Sequence, residues 1–162
     1  MKSYRDYQVM DTTRRALLAR ALMAAGLLLP PWALADEDGN TAAAAAAAAV
    51  AKLLGGRAPL AVGLKFITPA IAENGNTVPI SIEVEGAFSA DNYVTAIHVF
   101  AEHNPAPDVI SFQFTPASGR AKVATRIRLA KTQRVVALAQ WSDGRVLQAV
   151  NEVKVTIGGC GG

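Results

Sequence analysis

With 162 residues the chain is long enough for one domain and short for two. Its formal charge of +3 is carried by the first 35 residues, where Lys2, Arg5, Arg14, Arg15 and Arg20 outnumber Asp6 and Asp11, and the remainder holds eleven basic and eleven acidic residues. That balance removes any bulk electrostatic case for binding nucleic acid or an anionic membrane.

The N-terminus reads as an export signal. Thr13-Arg14-Arg15-Ala16-Leu17-Leu18 sets an arginine pair ahead of an apolar run from about Ala21 to Leu29. That run falls short of the roughly 20 apolar residues that span a bilayer. Pro30 and Pro31 end it, and Ala33-Leu34-Ala35 is a small-x-small cleavage pattern, which puts the cut before Asp36. Arg14 and Arg15 in this setting resemble a twin-arginine signal, which exports folded proteins. An ordinary secretory signal or an amphipathic helix is the alternative. Either export route predicts a periplasmic mature protein.

Residues 36–59 form a linker and a helix. Asp36 to Asn40 is polar and is expected to be mobile. The eight alanines Ala42 to Ala49 lead into Val50-Ala51-Lys52-Leu53-Leu54. Alanine has the highest helix propensity, so a helix over 41–54 is expected, capped by Asn40 or Thr41, stopped by Gly55-Gly56 and docked through Leu53 and Leu54. A low-complexity spacer is the other reading of the run.

From Leu60 to Ile157 the period changes to two. Val78 to Glu85, Val94 to Phe100, Ile110 to Phe114, Val123 to Leu129, Arg134 to Trp141, Val146 to Val150 and Val153 to Ile157 read as strands with one buried face. Asn74-Gly75-Asn76, Asn104-Pro105, Ser118-Gly119 and Asp143-Gly144 separate them, the last as a tight type I′ hairpin turn. Seven or eight short strands with no helix between them predict an all-β, immunoglobulin-like antiparallel sandwich.

Chemistry-bearing residues are few. His98 and His103 lack the companions a metal site needs. Glu83, Glu85, Glu102 and Asp108 are scattered, and no Gly-rich phosphate loop is present. No catalytic residue, metal site or cofactor is expected. Lys122, Arg126 and Arg128 share the outward face of one strand. They serve as edge-protecting charges or as a basic surface for an acidic protein partner.

The sequence closes on Gly158-Gly159-Cys160-Gly161-Gly162, which holds the single cysteine. Four flanking glycines cannot bury a thiol. They remove side-chain bulk and free the backbone, so Gly158, Gly159, Gly161 and Gly162 read as a flexible arm and Cys160 as a covalent attachment point. No cation neighbours Cys160 in sequence. An unperturbed thiol near pKa 8.5 is only about 3% thiolate at pH 7, and the terminal carboxylate raises that pKa further. The thiol is presented rather than activated. An intermolecular disulfide tether and a thiol redox enzyme are the competing readings.

These residues resemble the SoxY family, the sulfur-carrier subunit of the bacterial thiosulfate-oxidising system. The glycine–cysteine tail is the most specific part of the likeness. Ala72 to Pro79, Ile97 to Glu102, Ser118 to Ala121 and Thr125 to Leu129 support it, whereas the alanine run departs from the family pattern. The resemblance implies a carrier that catalyses nothing itself and holds thiosulfate-derived sulfur on Cys160. It implies a heterodimer with a SoxZ-like β-sandwich subunit. It further implies three transient partners: a c-type haem enzyme that couples thiosulfate to the thiol, a hydrolase that releases sulfate, and a sulfane dehydrogenase.

Overall fold

The computed structural model describes residues 37–158. The described residues form one α-helix, α1 (Glu37–Leu54), a short 3-10 turn (Pro116–Ser118) and eight strands. These are β1 (Leu64–Ile67), β2 (Ile71–Asn74), β3 (Val78–Val84), β4 (Val94–Ala101), β5 (Asp108–Gln113), β6 (Lys122–Ile127), β7 (Gln133–Trp141) and β8 (Val146–Ile157). They form two sheets, ordered β1-β3-β6 and β2-β8-β7-β4-β5. The expected all-β sandwich is observed. One pairing departs from the antiparallel rule, because β2 runs parallel to β8.

The period-two pattern explains the core. Along β3, Val78, Ile80, Ile82 and Val84 are buried while Pro79 is exposed. They meet Ile97 and Val99 of β4, Val135, Ala137 and Ala139 of β7, and Val153 of β8 between the sheets. A second cluster lies on the other face of the large sheet. There Phe100, Val136, Leu138 and Val146 pack against Ala49, Val50, Leu53 and Leu54 of α1. Alanine lets the helix approach closely, and Ala46 is buried.

The helix starts at Glu37 rather than Thr41, so the polar segment expected to precede it is helical from residue 37. Propagation from the alanine run costs little per added residue and meets no proline. Gly55 and Gly56 end it at positive φ, with Gly55 N–H bonded to Ala51 O at 3.0 Å.

Two further expectations change. Val146–Ile157 is one strand, not two: Leu147 and Val153 both face the space between the sheets, while Val146 alone of its buried residues lies under α1 on the other face. The Asp143-Gly144 turn is not type I′, since Gly144 has φ 89° but no non-glycine residue among those described has positive φ. Trp141 O accepts from Gly144 N at 3.0 Å and Arg145 O from Trp141 N at 2.9 Å, which closes a loop one residue longer.

β8 has neighbours on both sides. β7 lines one side from Val146 to Val153. On the other, Leu60 bridges Leu147, Asn151 Nδ2 donates to Phe66 O at 3.0 Å, and β2 pairs from Lys154 to Ile157. At the opposite end of the sandwich, Trp141 stacks on Phe88 with ring centroids 5.3 Å apart, under the Arg145 guanidinium. No described helix is long and apolar enough to cross a membrane.

Candidate functional site: the strand end that leads to Cys160

Cys160, Gly159, Gly161 and Gly162 lie outside the described residues, as do Arg14 and Arg15. Gly158 is described, exposed, and directly follows β8. The site is therefore built from what holds β8 at its end. From Ile157 to Cys160 is three residues, about 10 Å of fully extended chain.

β8 outruns β7, whose ladder stops at Gln133 opposite Val153. Beyond that pair a side chain replaces the missing strand: Thr132 Oγ1 accepts from Val155 N at 2.9 Å. On the other flank Ala72 pairs with Val155 and Asn74 with Ile157. Thr156 Oγ1 donates to the Ala72 carbonyl at 3.2 Å. Gly75 N, in the β2–β3 turn, donates to Ile157 O at 2.8 Å, and Gly75 O accepts from Leu129 N at 2.8 Å. The carbonyl of Ile157, last residue of the strand, is thus tied to two other loops in succession.

A buried polar pair organises the same end. Asn104 and Gln133 are 2% and 3% exposed and are the buried polar residues of the described chain. Asn104 Oδ1 accepts from Gln133 Nε2 at 2.9 Å and from Ala130 N at 3.0 Å, and Asn104 Nδ2 donates to Arg128 O at 2.9 Å. Gln133 Nε2 also donates to Lys131 O at 3.1 Å, and Gln133 Oε1 accepts from His103 N at 2.7 Å. The β4–β5 loop and the β6–β7 loop are stitched together through these two amides. Satisfied buried amides fix a loop because breaking one partner strands the others. Sequence reading took Asn104-Pro105 only as a turn and began the strand one residue after Gln133. Asn104 lies three residues past the end of β4 and Gln133 is the first residue of β7, and nothing in the sequence pairs them.

The remaining candidates are dispersed. His98 is half-buried on β4, its Nδ1 2.8 Å from Ser111 Oγ. His103 contributes its backbone to the amide network. No three His, Cys, Asp or Glu side chains converge on a metal position among the described residues. Lys122 pairs with Glu83 at 3.0 Å, while Arg126 and Arg128 form no ion pair among the described residues. The Lys122 hydrogen bond, and then the charges of Lys122, Lys65 and Arg120, hold the Glu83 carboxyl below its ordinary value against a smaller opposing effect of desolvation. Lys122 and Arg126 belong to β6 of the small sheet, whereas Arg128, expected on the same strand face, lies one residue past the end of β6, with its carbonyl in the Asn104 network.

The family described as "Sulfur oxidation protein SoxY" matches residues 50–160, a span that reaches Cys160. Among solved structures, the sulfur carrier protein SoxY from Chlorobium limicola f thiosulfatophilum is 34% identical. The match covers 68% of this chain and 96% of that one, with a TM-score of 0.55. Superoxide reductase (neelaredoxin) from Ignicoccus hospitalis is 18% identical over 57% of this chain and 79% of that one, with a TM-score of 0.51. A variant of the same reductase is 16% identical over 57% and 78%, with a TM-score of 0.52. At those identities the reductases share the sandwich and nothing more. No curated protein matches. A family match over most of the chain, ending at the cysteine and joined to a solved relative of the same family, places this protein: the chain belongs to the SoxY family of sulfur oxidation proteins.

Proposed function

We propose that the chain is a covalent sulfur carrier, with Cys160 as the attachment point on a glycine-flanked C-terminal arm. The observation that carries this reading is the family match through residue 160, on a chain whose last strand leads to that cysteine at one end of the sandwich. The Chlorobium relative is itself a sulfur carrier protein.

In this reading the chemistry belongs to partners. A c-type haem enzyme joins the Cys160 sulfur to the outer sulfur of thiosulfate. The new S–S bond forms as the thiol loses its proton and the haem enzyme accepts an electron pair. A hydrolase then adds water across the S–S(O3) bond, releasing sulfate and leaving a persulfide on Cys160. A sulfane dehydrogenase oxidises that remaining sulfur. The carrier pairs with a SoxZ-like β-sandwich subunit, and works in the periplasm after export through Arg14 and Arg15.

Mass spectrometry of the C-terminal peptide tests the proposal. Incubation with thiosulfate and the coupling enzyme is expected to add a reductant-labile thiosulfonate to Cys160. A protein–protein disulfide as the sole product at Cys160 under those conditions overturns it.

A further inference from the structure

We infer that Gly158 belongs to the fixed frame of the domain rather than to the moving arm, and that Asn104 is the positioning residue that holds it there. What the arm does rests on the carrier reading; where the arm begins does not.

The peptide that joins Ile157 to Gly158 is immobilised from one side, because its carbonyl oxygen accepts from Gly75 N at 2.8 Å. The Gly158 Cα is then packed from the other side. A methyl group placed on it would run into the Ala130 carbonyl oxygen. Such an approach is open to glycine alone, and here the reason is space rather than an unusual φ. The surface it touches is itself rigid. Arg128 O, Ala130 N and Lys131 O are each gripped by Asn104 or Gln133, at 2.9, 3.0 and 3.1 Å. The Ala130 carbonyl stands in the middle of those three held groups. Asn104 supplies two of the contacts from full burial, so its effect on Gly158 passes through the Ala130 peptide.

The consequence concerns reach. If the pivot were at the end of β8, the thiol would sweep about 10 Å; from a pivot after Gly158 only two residues remain, about 7 Å. A short tether also gives the thiol a direction. A partner that takes sulfur from Cys160 must come to this end of the sandwich. There it meets the β2–β3 turn, the β4–β5 loop and the β6–β7 loop.

Backbone 15N relaxation on the full chain tests where the arm begins. The Gly158 amide is expected to show an order parameter near the rigid value of about 0.85 seen in strands, with a fall below about 0.6 from Gly159 onward. A Gly158 value below about 0.6 in the native chain overturns the inference. Asn104→Ala and Gly158→Ala should each lower the order parameter at residue 158 to that of the tail. Each should also raise the KM of the thiosulfate-coupling enzyme for the carrier on the order of tenfold, with kcat and the rate of Cys160 alkylation by iodoacetamide unchanged. An unchanged residue-158 order parameter and unchanged KM in Gly158→Ala overturn the positioning role even if Asn104→Ala does not fold. If the native chain accepts no sulfur at all, the carrier reading fails while the relaxation result still locates the pivot.

Discussion

Arg57 Nη1 donates to the carbonyl of Gly144 at 2.7 Å, across 87 residues of sequence. The same guanidinium reaches Leu54 O at 2.9 Å and Leu53 O at 3.4 Å. One cation therefore satisfies the last carbonyls of α1, where the helix dipole favours positive charge, and ties that end to the β7–β8 loop. Because the side chain is exposed, Arg57→Ala is expected to cost only about 0.5–1 kcal/mol. The measurable effect is local: faster hydrogen exchange at Gly55 and Arg57, whose amides close the last turn, with the strands unaffected.

Gly86 sits at φ 143°, and a Cβ there would lie 3.3 Å from the Trp141 ring. Gly86→Ala combines a backbone conformation that only glycine adopts readily with crowding of a stacked indole, at a cost of about 1–3 kcal/mol. Urea unfolding measures the loss. Near-UV circular dichroism should change with it, because the Phe88–Trp141 stack must shift.

The Glu83–Lys122 pair predicts a pH dependence with a definite sign. Lys122 holds the folded-state pKa of Glu83 below its ordinary value. The pair's contribution to stability is then complete at neutral pH, starts to fade as pH falls below the ordinary carboxyl value of about 4.3, and is gone once pH passes below the depressed folded value. Unfolding midpoints of native protein and Lys122→Met should differ slightly at pH 7 and converge at low pH. They should converge at high salt too, since both groups are exposed and screened.

Cys160→Ser is expected to abolish thiosulfate-dependent mass addition completely. Its urea midpoint should match that of the native chain, because the buried core is made by residues 46–153 without it. Adduct on any other residue of the variant contradicts the assignment of the attachment point.

The sandwich was largely legible because its strands bury one face. Residues Val78, Ile80, Ile82 and Val84 announce β3 by alternation alone. The strand Val146–Ile157 was harder, since Val146 packs under α1 while its neighbour Leu147 faces the core, and polar Asn151 and Glu152 interrupt the apolar run. The strands β1 and β2 have four residues each, too short for a period to stand out. At the functional end, the tail motif was visible as composition. The amides that hold its base were not, because Asn104 and Gln133 are 29 residues apart and meet only in the fold. The Asp143 turn was misread for a related reason. An Asp-Gly pair suits more than one loop length, and Arg145 bonds to both Asp143 carboxylate oxygens, at 3.0 and 2.6 Å, in the longer one.

The position of β8 between two ladders has a mechanical meaning. In the carrier reading, a partner that withdrew with the thiol still engaged would pull along the axis of the strand, so the bonds to β7 and to β2 would be loaded in shear, all at once, rather than peeled one by one. Thr132 and Asn151 add side-chain rungs where backbone rungs are missing. Such traction would be spread across the five-stranded sheet, so the strand that leads to the cysteine is anchored by the whole sheet rather than by one ladder.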